Sequence, residues 1–369
     1  MPLIVLLSCT AILGLALASL EPGVLRPLMA LAGCALLLTA AAAPRARAAL
    51  QMLLARYWIA GLALAGLVLV LLLRSGLFVG GAGAGEAALA ASALVGVALA
   101  APAAAAIAHA YSRNLCAVWV LALSAPLAFA ALLTYQLAPG GALGRIPAAL
   151  TEPGLVAGFG LIALLALHVA ADELRRRPAP GEPSLPPLAR RLFAPIAALM
   201  TSVAMMTLAG APAALGATGV AALIFAAVLW TRARRSRVGA AIVPALAFVS
   251  VGAGGLAALS ATLSGTGANV ETAESATGAA QWFAQGGLTG AALLAFVFAA
   301  LMTSLVTAKD RGRRPSRGAP FLAGLIAYAI GVSWFDVGLA APSAALLFAV
   351  LTGFAASYLD QEKRTPDPA

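Results

Sequence analysis

Long apolar runs separated by short polar segments constrain this chain more than any other feature of its sequence. A bilayer core is about 30 Å thick, so a helix that rises 1.5 Å per residue crosses it in roughly 20 residues. The sequence contains twelve runs of approximately this length, at residues 3–20, 24–43, 58–73, 87–110, 115–135, 154–171, 192–208, 213–230, 238–263, 288–308, 319–335 and 337–358. The pattern predicts an all-α fold, a polytopic bundle of about twelve transmembrane helices.

The composition excludes a protein that folds in water. Of the 369 residues, 62% are hydrophobic and 10% are charged, whereas an ordinary soluble domain carries roughly 25% charged residues. The cysteines, Cys9, Cys34 and Cys116, all lie inside apolar runs, which excludes a secreted disulfide scaffold. The lipid bilayer is therefore the expected solvent.

The basic residues indicate how the helices are oriented. The net charge is +10, but the Lys and Arg residues are scattered through short connecting segments, so no nucleic-acid partner is predicted. With the N-terminus inside, 20 of the 23 basic residues fall on the cytoplasmic side, and only Arg26, Arg74 and Arg145 fall outside. Because cytoplasmic loops carry the Lys and Arg excess, we expect a multi-pass protein of a bacterial inner membrane with both termini cytoplasmic.

A proline- and arginine-rich segment divides the chain in two. Residues 172–191 contain five prolines, and proline disfavours a helix interior, so this segment is predicted to be an extended cytoplasmic linker. It separates a six-helix half, 1–171, from a second half, 192–358, which a cytoplasmic tail, 359–369, follows. The first two runs of the two halves begin 189 residues apart, which suggests an internal repeat.

Ionisable residues within spans are costly and mark functional hypotheses. His109 and His168 lie near the inner ends of the fourth and sixth spans, where they would be either haem or metal ligands or histidines of the bundle core. The core interpretation is favoured, because no Cys or further His accompanies them. No cofactor is predicted.

Two further candidates lie on the predicted outer side. Asp336 follows an aromatic turn, where it is either a turn residue or a cation or proton site. Arg145 lies in a lid-like outer segment. No nucleotide-binding, hydrolase or metal-binding motif occurs, so an enzyme is not favoured; an enzyme acting on lipid-linked substrates would need a polar outer cluster drawn from Arg145, Glu152, Glu271 and Glu274.

Arg45 and Arg47 in PRARAAL, and Arg232 to Arg237 in TRARRSRVG, lie in the inner loops that follow the second and eighth spans. Together with the six-plus-six topology, these loops resemble the major facilitator superfamily over nearly the whole chain. The resemblance implies alternating access, by rocking of two halves around a midplane cavity. It suggests a transporter for a small, uncharged or amphipathic solute.

The segment Leu208-Ala209-Gly210-Ala211-Pro212, followed by Gly216, supports a rival interpretation. It resembles a pattern in the antiporter-like membrane subunits of complex I and related complexes. Those subunits use lysines within the membrane for proton transfer, whereas Lys309 and Lys363 both lie outside the predicted spans. The alternative is thus a non-pumping structural or assembly subunit with partners in a membrane redox complex.

Overall fold

The computed structural model describes residues 22–56, 84–111, 153–175, 188–233, 318–335 and 342–362, together with single positions between 58 and 73. Within these residues the chain is all-helical and contains no strand. The eight helices are α1 (Pro22–Ala42), α2 (Pro44–Arg56), α3 (Ala84–Tyr111), α4 (Pro153–Arg175), α5 (Leu188–Leu208), α6 (Pro212–Ala233), α7 (Gly318–Phe335) and α8 (Pro342–Glu362).

Proline sets the start of most of these helices. Five of the eight begin at a proline, because proline has no N–H to leave unsatisfied in the first turn and its fixed φ suits a helix. Two helices also contain an internal proline, Pro102 in α3 and Pro195 in α5.

Among the described residues, three helical segments are long and apolar enough to cross a membrane: Val156–Leu174, Leu188–Thr207 and Pro212–Trp230. Helices also lie at the predicted spans 24–43, 87–110 and 319–335, whereas the last helix begins at Pro342, five residues after the predicted start at 337. The predicted spans 3–20, 115–135, 238–263 and 288–308 lie outside the described residues. The total of twelve spans and their six-plus-six arrangement therefore stay predictions.

Helix α4 is the centre of the described bundle. It contacts α5, α6, α7 and α8, and 94% of its apolar segment is buried, against 22% for α5. Around it, α6 packs along α7, and α8 packs along α3. Helix α1 packs on α3 as well. The core is built mainly from alanine and leucine, so neighbouring helices can approach closely.

Glycines allow the closest of these approaches. A Cβ atom on Gly33 of α1 would collide with the backbone of Gly96 in α3, and one on Gly353 of α8 would collide with the carbonyl of Ala101 in α3. In membrane proteins, small residues let helix backbones approach closely in this way. Moving an apolar side chain from lipid into the protein interior contributes little to helix association, so close packing matters more.

Part of the basic segment after α1 differs from its predicted form. Arg45 and Arg47, predicted to lie in a loop between spans, belong to helix α2. That helix packs against α3 and α1, and its buried residues form a stripe at helical spacing, made of Ala46, Ala49, Leu50 and Leu53. Arg47 Nε donates a hydrogen bond to the Ala41 carbonyl at 2.8 Å, which satisfies an acceptor at the end of α1. This capping contact and the apolar stripe explain why the segment is helical.

A tight turn joins α5 to α6 at the segment that resembles the antiporter-like subunits. Gly210 has φ of 62°, a left-handed conformation that glycine adopts without strain. Its N–H bonds to the Thr207 carbonyl at 3.0 Å, and the N–H of Ala211 bonds to the Met206 carbonyl at 3.2 Å. This is a Schellman motif, and Pro212 then begins α6, so the glycine and proline of this segment form a helix–turn–helix connection.

Replacing Gly210 by alanine is expected to lower the free energy of unfolding by about 1 kcal/mol, because a Cβ is strained in the left-handed conformation. Gly61 provides the matched control: it is helical and exposed, and neither glycine has a neighbour within 4 Å of an added Cβ. Gly61→Ala should leave stability unchanged or raise it by up to about 1 kcal/mol. Unfolding in mild detergent measures both, and equal effects would contradict the assignment.

A second prediction concerns Gly160 of α4. Tyr328 of α7 is fully buried, and its hydroxyl donates to the Ala157 carbonyl at 2.9 Å. A Cβ on Gly160 would overlap the Tyr328 ring, so Gly160→Ala is expected to cost about 1–3 kcal/mol. In a Tyr328→Leu background the same change should cost at least about 1 kcal/mol less. Strictly additive effects would show that the two residues do not meet.

Candidate functional site

An imidazole and a carboxylate lie buried on the central helix. His168 and Asp172 are four residues apart on α4, so they share one face of the helix, and they are only 3% and 9% exposed. Ionisable groups at such depth in an apolar bundle are costly and usually functional. This pair is the strongest candidate site in the described part of the chain.

Aromatic rings from two other helices enclose His168. The Phe321 ring of α7 stacks on the imidazole, with ring centroids 4.4 Å apart and planes 12° apart. The Tyr358 ring of α8 meets it at 67°, with centroids 4.9 Å apart. We refer to His168, Asp172, Phe321 and Tyr358 as the His–Asp site. Through these ring contacts the imidazole of α4 connects α7 and α8. An aliphatic side chain could fill the same position without the cost of burying a polar ring.

Glu173, the residue after Asp172, connects α4 to α5. Glu173 Oε2 accepts a hydrogen bond from Arg191 Nε of α5 at 2.7 Å, and Arg191 Nη2 also donates to the Glu173 backbone carbonyl. Both side chains are largely shielded, with exposures of 13% and 14%. A guanidinium held at a helix C-terminus also compensates the negative end of the helix dipole. Arg191 therefore clamps the end of α4 to the start of α5.

The contacts fix the relative directions of four helices. The Glu173–Arg191 clamp places the end of α4 beside the start of α5. The Gly210 turn reverses the chain, so α6 ends on the same side as α4. Helix α7 runs antiparallel to α6, because Gly324 lies against Phe225 while Gly331 lies against Ala217. The start of α7 therefore lies at the end of the bundle that holds the His–Asp site.

The contact of Tyr358 with His168 places the last turns of α8 at this end too. Five helix termini thus meet there, and we call this region the basic end. The basic segments of the sequence that continue from these termini are 175–177, 190–191, 232–237, 309–317 and 363–364. If these basic segments all lie on one side of the membrane, as predicted, the helix termini next to them must lie at one end of the bundle.

Two of the four buried serine and threonine hydroxyls in the described helices bond within their own helices. Ser202 and Thr218 donate to the carbonyls four residues earlier, Ala198 and Ala214, at 2.7 Å. This bonding leaves them little capacity for a ligand. The buried hydroxyls of Thr352 and Ser357 on α8, by contrast, have no hydrogen-bond partner in the described part of the chain.

His109, a further predicted site residue, lies on a different helix from this cluster. His109 lies half-buried in the last turn of α3. Helices α3 and α4 each pack extensively on α8 but not on one another. Arg145 and Asp336 lie outside the described residues, so their predicted roles stay predictions.

Asp172 is the residue that the sequence interpretation missed. It was assigned to the linker 172–191, but α4 continues to Arg175 and α5 begins at Leu188, so the prediction of an extended linker is wrong at both ends. The clamp between Glu173 and Arg191 helps to stabilise these extra helical turns. The available signal was the spacing of four between His168 and Asp172 at the end of an apolar run.

The helices described here contain no group of three or more His, Cys, Asp or Glu side chains that could hold a metal ion. Comparisons with protein-family models, with curated proteins and with solved structures find no match to this chain.

Removing the clamp should destabilise the α4–α5 pair. Arg191→Ala is expected to lower the free energy of unfolding by about 1–3 kcal/mol, because a shielded charged hydrogen bond is lost. Arg191→Lys should retain only part of the stability that Arg191→Ala loses. An ammonium lacks the forked guanidinium that reaches both the side-chain carboxylate and the backbone carbonyl of Glu173. Arg190→Ala, at the exposed neighbouring position, is the control, with a change within about 0.5 kcal/mol. Equal losses at both positions would contradict the clamp.

Proposed function

We propose that the chain is a multi-pass protein of a bacterial inner membrane that moves a small, uncharged or amphipathic solute by alternating access. Twelve spans in two six-helix halves, residues 1–171 and 192–358, would form the transport unit, with the basic end in the cytoplasm. The three membrane-length helices and the common position of five helix termini support this topology.

The observation that carries the proposal is that the last helix of each predicted half packs on helices of the other half. Helix α4, the predicted sixth span, packs on α5, α6, α7 and α8 of the second half, while α8, the predicted twelfth span, packs on α1 and α3 of the first. Under a six-plus-six repeat, the contact of the sixth span with the eighth corresponds to that of the twelfth with the second. Both contacts occur, as α4 on α6 and α8 on α1. Repeats of this kind underlie alternating access in many transporters.

The chemistry of the buried groups supports an uncharged or amphipathic solute. Apart from tyrosine, the buried polar side chains in the described helices are one imidazole, one carboxylate and four hydroxyls, belonging to His168, Asp172, Ser202, Thr218, Thr352 and Ser357. None of these is a lysine or arginine that would neutralise a strongly anionic solute. Hydroxyls and aromatic rings suit neutral or weakly polar molecules better.

A second candidate function is that of a non-pumping subunit in a membrane redox complex. Helix α5 favours it, because its outer face presents an apolar stripe at helical spacing, with Phe193, Ile196 and Met200 exposed. In a membrane such a stripe contacts either lipid chains or a helix of a partner protein.

Reconstitution of the purified chain into liposomes tests the two functions. With a panel of small neutral and amphipathic solutes, we expect saturable uptake of at least one solute. Gly160→Ala, which wedges α4 away from α7 of the other half, should abolish this uptake, whereas Gly61→Ala should retain it. Only variants that remain monodisperse are compared.

Absence of uptake across the panel would contradict the transport proposal. If the same preparation is also recovered from native membranes in a stable complex with redox proteins, the second function is supported. A pull-down from detergent-solubilised native membranes supplies that measurement.

A further inference from the structure

We propose that the exposed face of α5 binds an anionic phospholipid of the cytoplasmic leaflet. The headgroup phosphate binds the guanidinium of Arg190. One acyl chain lies along Phe193, Ile196 and Met200. We call these four residues the lipid face. The site rests on the proposed topology, with the basic end in the cytoplasm, and does not depend on which solute is moved.

Helix α5 is the most open of the three described helices that are long enough to cross a membrane. Only 22% of its apolar segment is buried in the bundle, against 94% for α4 and 56% for α6. Its outer side chains are large: Phe193 is 75% exposed, Met200 65% and Ile196 44%. In a membrane, such a face is covered either by lipid chains or by another helix.

Arg190 belongs to the same side of α5 as these apolar side chains. Successive residues of the lipid face are three, three and four positions apart, which is the spacing of side chains that share one side of a helix. Arg191, the next residue, instead binds Glu173 of α4. Arg190 is exposed, and α5 contains no Asp or Glu, so no carboxylate of its own helix competes with a phosphate for it.

The length of the lipid face matches one leaflet of a bilayer. Arg190 and Met200 are about 15 Å apart along the helix axis, at 1.5 Å of rise per residue. A bilayer core is about 30 Å thick, so one leaflet contributes about 15 Å. With the phosphate at Arg190, the acyl chain reaches the midplane near Met200. Trp230 is exposed in the last turns of α6, at the same end of the bundle, and tryptophan is enriched at the membrane interface.

Side-chain size and charge both favour a lipid over a partner helix. Membrane helices associate through small residues that let their backbones approach, whereas Phe193, Ile196 and Met200 protrude. A partner helix would also enclose Arg190 in the membrane, at the cost of burying a charge. A phosphate accepts forked hydrogen bonds from a guanidinium, and basic side chains on the cytoplasmic side attract anionic lipids.

Native mass spectrometry of the full-length chain in detergent measures lipid binding directly. Phosphatidylglycerol is the anionic probe, and phosphatidylcholine, which has no net charge, is the reference. We expect phosphatidylglycerol to bind at least about fivefold more tightly, which is the effect of one basic residue near an anionic headgroup. Arg190→Gln should weaken phosphatidylglycerol binding at least about threefold and leave phosphatidylcholine binding unchanged. Arg190→Lys should retain part of the preference, because an ammonium keeps the charge but lacks the fork.

Arg45→Gln is the matched control. Arg45 is an exposed arginine of α2, so this change removes the same charge at a position outside the lipid face. It should alter phosphatidylglycerol binding less than about 1.5-fold, because the attraction between exposed charges is local and screened by salt.

Photo-crosslinking in native membranes identifies what covers the face. Benzoylphenylalanine introduced in place of Phe193 should form adducts with phospholipid. A crosslink to a second copy of the chain or to another protein would overturn the proposal. Equal binding of the two lipids would do so too, as would equal effects of Arg190→Gln and Arg45→Gln. None of these measurements needs a transported solute, so failure of the lipid site and failure of the transport proposal are distinguishable.

Discussion

Close approach of helix backbones at small residues is the constraint on which the rest of this bundle depends. Lipid chains are as apolar as leucine, so burial alone does not hold membrane helices together, and close packing must do more of the work. The contacts of Gly33 with Gly96 and of Gly353 with Ala101 let α1 and α8 lie directly on α3. Gly160 leaves the space into which Tyr328 reaches. Larger residues at these points would separate the helices.

This packing gives the His–Asp site its character. A central helix covered on all sides by α5, α6, α7 and α8 places His168 and Asp172 where neither side chain has much contact with solvent. Two adjacent carboxylates then differ by environment: Glu173 lies at the rim and is bound by Arg191, whereas Asp172 is more deeply buried, on the face that carries the imidazole. Glu173 forms a structural clamp, whereas Asp172 shares a helix face with the buried imidazole.

The sequence predicted most of the described helices and little of how they meet. Bilayer thickness fixes the length of an apolar run, so α3, α4 and α6 were found within a few residues of their observed bounds. The helical form of α2 was missed because it depends on tertiary packing against α3 and α1. Asp172 was missed because the clamp that extends α4 joins residues 18 positions apart. His168 could be named in advance, but its partners Phe321 and Tyr358 come from distant helices.

The proposed transport requires that the chain cross the bilayer with its basic end in the cytoplasm. Cysteine accessibility tests this directly, in a background where Cys9, Cys34 and Cys116 are replaced by alanine. An impermeant maleimide added to intact spheroplasts should label Ala211→Cys, at the α5–α6 turn, and leave Ala179→Cys, in the segment between α4 and α5, unlabelled. Inverted membrane vesicles should give the opposite pattern. Labelling of both positions from the same side would contradict this topology.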